Sequence, residues 1–411
     1  MTFEIPDDWL SGVYLGKLTA LTSGIQSYII FIVRDDRACD LLFQCSELTW
    51  SAYNRWPTNY SIYTCYTQNW SNTGVPSGTV SFNRPYALFT HPVNPIDTSV
   101  GVGEFLPWEF PLSYWLGQNG YDVSYISNID THADRNALLR TKGFISVGHD
   151  EYWTEDMFDN VVNARDAGVS LAFLCGNSTL CKMPLLPSSD GQAHRATRRE
   201  GWFLPLADGQ VVPPELINEA GFELSIGPDS ALLLGAWHSI GQGQAGLGQG
   251  AGDWTCTAPG HWLFDGTGMQ AGDSIGGLIG WEFHGEPLLD LPGMQIVAQG
   301  PAFKDNGVQN GTYTATIYDG PHNNIVFNAA TIWWANGLSS PPGYLNPSRH
   351  GIAQQGPDAL AQQITKNLLD RIVRKKPLEA PVTGLIGLGV LAVALIGSGA
   401  ANIRRAVKNG K

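Results

Sequence analysis

Charge is what this sequence lacks most. Only 15% of its residues are Asp, Glu, Lys or Arg, and 24 basic residues against 37 acidic ones leave a formal net charge of −13. No basic stripe interleaved with aromatics occurs, so the electrostatic footprint of a nucleic-acid binder is missing. Cysteine is scarce as well. The six present (Cys39, Cys45, Cys65, Cys175, Cys181 and Cys256) show neither C-x-x-C nor zinc-finger spacing. A chain of 411 residues buries a full core without a disulfide framework, so these read as mostly free thiols. A secretory leader is not expected either, because Met1 to Leu10 carries Glu4, Asp7 and Asp8 and no basic segment followed by an apolar run.

What is abundant excludes disorder. Hydrophobic residues make up 43%, with 14 Trp, 14 Tyr and 16 Phe, while 48 Gly and 25 Pro announce many turns and long loops. A long uncharged and largely apolar run is Ala380 to Ile403, 24 residues including GLIGLGVLAVALIG. As a helix it would span the roughly 30 Å hydrocarbon core of a bilayer. The expectation is therefore a catalytic unit over 1–376, then a proline-containing linker and a single-pass membrane helix (about 380–403) within 377–411. Four basic residues on each side of that run leave its orientation undecided.

Residues 143–178 read as strand, polar loop, helix, strand and polar loop. Thr154 suits a helix N-cap and Gly168 a C′ position, and Met157, Val161, Val162 and Ala164 recur at helical spacing. Strand, helix and strand in that order form a right-handed parallel βαβ unit, whose ligands bind beyond the carboxyl ends of the strands. Those ends carry His149, Asp150, Glu151, Tyr152 and Asn177. If the loop after Gly148 is extended, His149 and Glu151 point the same way, and a carboxylate beside an imidazole is a metal-ligand or acid-base pair. For an isolated H-x-E the plainer reading is helix capping by Asp150 and Glu151 around a buried, hydrogen-bonded His149.

Along the chain, GVYLGKLTAL, SYIIFIVRD and DLLFQC are strand-like, and SELTWSAYNRWPTNYSIYTCYTQNW is a long aromatic loop of the kind that lines a site. TVSFNRPYALF is a further strand, Glu104 to Asn119 a proline-interrupted helix, YDVSYI a strand, and Ala133 to Thr141 a short helix. The α/β core is thus expected over about 40–182. GQGQAGLGQGAGDW reads as a flexible loop, and HWLF, GGLIGWEF and NIVFNAATIWW make 200–340 β-rich. A closing amphipathic helix over about 358–374 presents Leu360, Ile364, Leu368 and Ile372 on one face.

In order, GVYLGKL, TWSAYNRW, VSFNRPY, GYDVSYISNIDTH, VGHDEYWTEDM, FLCGN, IGWEFHG and IWWANGL resemble the carboxyl-terminal catalytic region of the N,N-dimethylformamidase large (beta) subunit. The resemblance implies a parallel-stranded α/β sandwich of the glutamine-amidotransferase type with additional β-rich segments. It also implies a mononuclear non-haem iron, Fe3+, held by two tyrosines and a glutamate. On the matching positions these are Tyr53, Tyr86 and Glu151, with His149, Glu282 and Asn177 as further polar groups of the site. The implied reaction is hydrolysis of the C–N bond of a small linear amide. The resemblance leaves a small-subunit partner or a homo-oligomer open, and the amino-terminal part of the large subunit is expected to be missing.

Phenolate and carboxylate oxygens are hard donors suited to iron(III), and loops after neighbouring parallel strands can bring them together. Two other readings stand beside this one. Cys175 ends a strand just before Gly176, where a thiol nucleophile would use His149 as its base, although no adjacent cation lowers its pKa. The third is a membrane-tethered binding protein whose aromatic loops hold a ligand over a vestigial site.

Overall fold

Short runs of β-branched and aromatic residues build the strands. In chain order they include β1 (Gly12–Thr19), β2 (Gln26–Val33), β3 (Cys39–Cys45), β4 (Val123–Ser127), β5 (Thr141–Gly148), β6 (Ser170–Cys175), β7 (Gln295–Phe303), β8 (Gln309–Asp319) and β9 (Ile325–Asn328). The computed structural model describes residues 3–54, 56, 79–86, 103–198, 201–202, 225–226, 230–236, 251–280, 282–285, 287, 291–303, 307–344 and 356–374. Met1–Lys375 forms one compact unit.

Strands β3 to β9 form a seven-stranded sheet in the order β7-β8-β9-β6-β5-β3-β4. From β9 to β4 all pairings are parallel. β7 and β8 extend this sheet antiparallel through β9. The sheet is therefore mixed rather than parallel throughout, and β7 to β9 of the β-rich part belong to it. β1 and β2 pair separately as a hairpin, and smaller sheets use strands of two to six residues.

The helices that matter are α1 (Glu47–Tyr53), α2 (Phe105–Trp108), α3 (Phe110–Gln118), α4 (Asn128–Ala133), α5 (Glu155–Asp166) and α6 (Ala359–Val373). Residues of alternate parity along the strands face opposite sides. Leu41, Phe43, Ile145, Val147, Ala172 and Leu174 lie in one core with Leu112, Leu116 and α6, while Leu42, Phe144, Leu171 and Phe173 lie in the other with Met157, Phe158 and Val161 of α5. α6 is held by its apolar face: Ile364, Leu368 and Ile372 are each fully buried, worth about 1.5–3 kcal/mol apiece. Asp358 caps it by accepting from Leu360 N at 2.7 Å.

From β3 the chain crosses to β4 on one side, whereas from β5 it crosses to β6 on the other. β3 and β5 are adjacent and parallel, so a topological switch point lies beyond their carboxyl ends. That is where an open α/β sheet binds ligands.

Some segments differ from the sequence reading. HWLF is not a strand but a 3-10 turn, Trp262–Phe264, capped by His261 Nδ1, which accepts from Leu263 N at 3.2 Å. The membrane-associated, single-pass placement is also overturned. Among the described residues no helix is long and apolar enough to cross a membrane, and the last, α6, is amphipathic and packs its apolar face into the core. The run at 380–403 lies outside the described residues, as do 57–78 of the aromatic loop and 237–250 of the glycine-rich one.

Candidate metal centre

The loop after β5 fixes the centre. Gly148 has φ +67, and a Cβ there would lie 2.6 Å from Cβ of Trp108, so only glycine lets the strand end pass this close to α2. The next three residues alternate. Asp150 turns toward the strand ends, where its carboxylate accepts from Gln44 Nε2 (2.7 Å), Ser146 Oγ (2.8 Å) and Asn128 Nδ2 (3.3 Å). His149 and Glu151 point together, with Nε2 and Oε2 3.0 Å apart. Capping of α5 falls to neither acid, since Thr154 Oγ1 accepts from Met157 N at 3.0 Å.

α1 braces this loop from the neighbouring strand. Thr49 Oγ1 accepts from the backbone N–H of Glu151 (3.1 Å) and of Tyr152 (3.3 Å). One helical turn later, Tyr53 donates its hydroxyl to Glu151 Oε2 at 2.6 Å, and its ring lies 4.9 Å from the His149 ring. Glu282 is brought in by the chain that follows β9. Its backbone carbonyl accepts from Ile332 N, and Phe283 bridges Thr331, which places its Oε2 2.9 Å from His149 Nε2.

His149, Glu151 and Glu282 thus offer donor atoms that all lie within 4.8 Å of one another, and this group could hold a metal ion. A third acid, Glu104, was not anticipated from the sequence: its Oε2 stands 2.9 Å from His149 Nδ1. All four side chains are buried. Burial alone would depress the His149 imidazole, but the Glu282 and Glu104 carboxylates hold it well above its ordinary value. Burial pushes the Glu282 carboxyl up to about 7 against the pull of His149. Glu282 Oε2 has no hydrogen-bond partner among the described residues even though Nε2 is so near. The two side chains form a buried ion pair. Donor atoms at right angles on a small cation, each about 2.1 Å from it, would sit about 3 Å apart. The residues present therefore fit a metal.

The remaining expected site residues are placed less directly. Tyr86 packs edge-on to Trp50 of α1 at 6.4 Å, the residue before it is held by Asn54 Nδ2 donating to Pro85 O at 3.0 Å, and burial raises its hydroxyl pKa. No contact described for Tyr86 joins it to Glu151. Asn177 is buried in left-handed backbone, φ 57, and Gly176 before it packs on Glu282 O. Cys175 is unsuited to attack. It is fully buried, its Sγ lies 3.0 Å from Ser178 Oγ, and burial drives its thiol up to about 12. Cys39, Cys45, Cys175 and Cys256 are free and buried.

The ordered motifs quoted above are matched over residues 1–349 by the family model described as "N,N-dimethylformamidase beta subunit-like, C-terminal". No curated protein matches the chain. Because that match spans most of the chain, including the loop that carries His149 and Glu151, the protein belongs to the N,N-dimethylformamidase beta subunit-like, C-terminal family.

Proposed function

We propose that this protein is an amidohydrolase that splits the C–N bond of a small linear amide at a mononuclear iron(III) centre. The observation that carries the reading is the meeting of Tyr53 Oη, His149 Nε2 and Glu282 Oε2 around one buried carboxylate, Glu151, at the switch point of the sheet. Tyr53 and Glu151 would hold the iron, with Tyr86 as the second phenolate. The bound metal would polarise the amide carbonyl and acidify a water molecule.

The side chains supply the rest. Glu282, with its carboxyl at about 7, takes the proton released as water adds to the carbonyl carbon. Asn177 donates its side-chain amide to the developing oxyanion. The C–N bond then breaks as His149 hands the Nε2 proton to the leaving nitrogen, giving a carboxylic acid and an amine. Both proton carriers are in contact at 2.9 Å, so the proton taken up by one is available to restore the other.

A second donor set has its own support, since His149, Glu151 and Glu282 converge without any tyrosine. Glu151 belongs to both. The test is metal analysis of the purified full chain with hydrolysis assays on small linear amides. One iron per chain, lost in Glu151→Gln, supports the proposal, and full iron in that variant rules out Glu151 as a ligand. Retention of iron in His149→Ala favours the tyrosine set, and its loss favours the histidine set. The family name describes a beta subunit, and we extend to this chain the expectation of a further subunit, or of self-association, measurable by native mass spectrometry.

A further inference from the structure

One buried carboxylate of the centre belongs to neither donor set. Glu104 stands at the N-cap of α2, where the ordinary task of a polar side chain is to accept from the free N–H groups of the first turn, yet it makes no such bond. Gly103 before it has φ +58, and a Cβ there would lie 2.8 Å from Cβ of Trp50. That turn, open only to glycine, sends Glu104 inward. The residue is 2% exposed. Its Oε2 meets His149 Nδ1 at 2.9 Å, and its Oε1 has no hydrogen-bond partner among the described residues. Burying a carboxylate for a single side-chain contact is an expensive arrangement for a merely structural residue.

We propose that Glu104 is a positioning residue. It accepts the Nδ1–H of His149 and thereby holds the imidazole with Nε2 facing Glu151 and Glu282. The imidazole needs such a restraint, because a half-turn about its Cβ–Cγ bond would put Cδ2 where Nδ1 stands and Cε1 where Nε2 stands. Neighbouring rings confine its plane without choosing between those two orientations: Tyr53 lies 4.9 Å away, and Trp108 lies edge-on at 6.2 Å. Only a hydrogen bond distinguishes nitrogen from carbon. Glu104 makes that choice from the side away from the reacting atoms, as carboxylates commonly do for metal-site histidines. The consequence for catalysis rests on the amidohydrolase reading, whereas the hydrogen bond itself does not.

The test uses the full chain, labelled with [15N]histidine and free of metal, with the His149 signals identified by their loss in His149→Asn. A slowly exchanging Nδ1–H resonance is expected in the wild type. It should persist in Glu104→Gln, whose amide oxygen still accepts, and vanish in Glu104→Ala. kcat on small linear amides should fall about 10- to 100-fold in Glu104→Ala and less than about 3-fold in Glu104→Gln, while KM stays within about 2-fold. An Ala variant that keeps both the resonance and the rate overturns the proposal. So does a folded Gln variant that loses the resonance, which would make charge rather than acceptance the requirement, and this comparison decides alone if the Ala variant does not fold. A wild type that binds no iron and hydrolyses no amide defeats the amidohydrolase reading, while the Nδ1–H comparison still judges Glu104.

Discussion

Acid should unfold this protein partly through one neutral histidine. His284 Nε2 accepts from Ser178 N at 3.0 Å, so the proton must sit on Nδ1, which faces Asn328 Oδ1 at 2.6 Å. Protonating Nε2 would set one N–H against another in a fully buried pocket. Burial accordingly lowers its pKa to about 4, with the Asn328 contact opposing. A histidine with a depressed folded pKa contributes stability that is complete above its unfolded value near 6.5 and is lost as pH falls through the folded one. The linkage relation puts that loss at about 1.4 kcal/mol by pH 5.5 and about 3 kcal/mol by pH 4. His284→Gln removes the titration while its amide can still accept from Ser178 and donate to Asn328. Urea unfolding of both metal-free proteins at about pH 7.5, 5.5 and 4 isolates this group, since all other titrations cancel in the difference. The variant should gain about 3 kcal/mol on the wild type between the highest and lowest pH. Parallel pH profiles would refute the assignment of a neutral His284.

Three further outcomes follow from the site. Tyr53→Phe keeps its ring contact with His149 but loses the hydroxyl on Glu151, so the iron-loaded protein should lose visible charge-transfer absorption; Tyr86→Phe should do the same, and an unchanged spectrum in either removes that tyrosine from the ligand set. Glu282→Gln should keep iron and lower kcat on small linear amides by about 10²–10⁴, and a wild-type rate would take Glu282 out of the proton path. Cys175→Ala should leave kcat within about 2-fold, because the thiol is buried with a pKa near 12, and inactivation of the folded variant would revive the nucleophile reading.

Much of the fold was written in local pattern. Thr154 and Gly168 mark the ends of α5 in the sequence, and the structure places them there: Thr154 caps the first turn and Gly168 takes φ 102 just past the helix. Within residues 104–119 the helix is interrupted at Glu109, giving α2 and α3 with Pro111 in the first turn of the second. α4 carries a helix-start signal of its own. Ser127 and Asp130 form a capping box, an S-x-x-D spacing that marks a helix start when an apolar run follows; here NIDTH offers almost none, so periodicity was silent. The joining of β7 and β8 to the main sheet depends on pairing across more than a hundred residues, from β9 to β6, and no local pattern encodes that.

The site divides along the same physical line. His149 and Glu151 were legible because two residues on one extended loop are related by backbone period alone, and the structure sets them 3.0 Å apart. Asn177 was marked by its place at a strand end, whereas Tyr53, Tyr86 and Glu282 were named only through ordered motifs, since nothing in their own neighbourhoods says which distant side chain they meet. Glu104 had neither aid. In sequence it is an acid before a helix, whose default role is a cap, and only the three-dimensional path shows it making no cap bond and facing His149 instead. The plainer reading of H-D-E holds for His149, which is buried and hydrogen-bonded, but its capping half fails at the same step. It assigned capping to Asp150 and Glu151 because a helix start needs acceptors, but Thr154 already supplies one. Once a hydroxyl meets that need, the two carboxylates are released for longer-range work: Asp150 ties the loop to β3, β5 and α4, and Glu151 receives Tyr53. A buried acid without a local duty is thus the feature that points to chemistry, and Glu104, Glu151 and Glu282 share it around one imidazole.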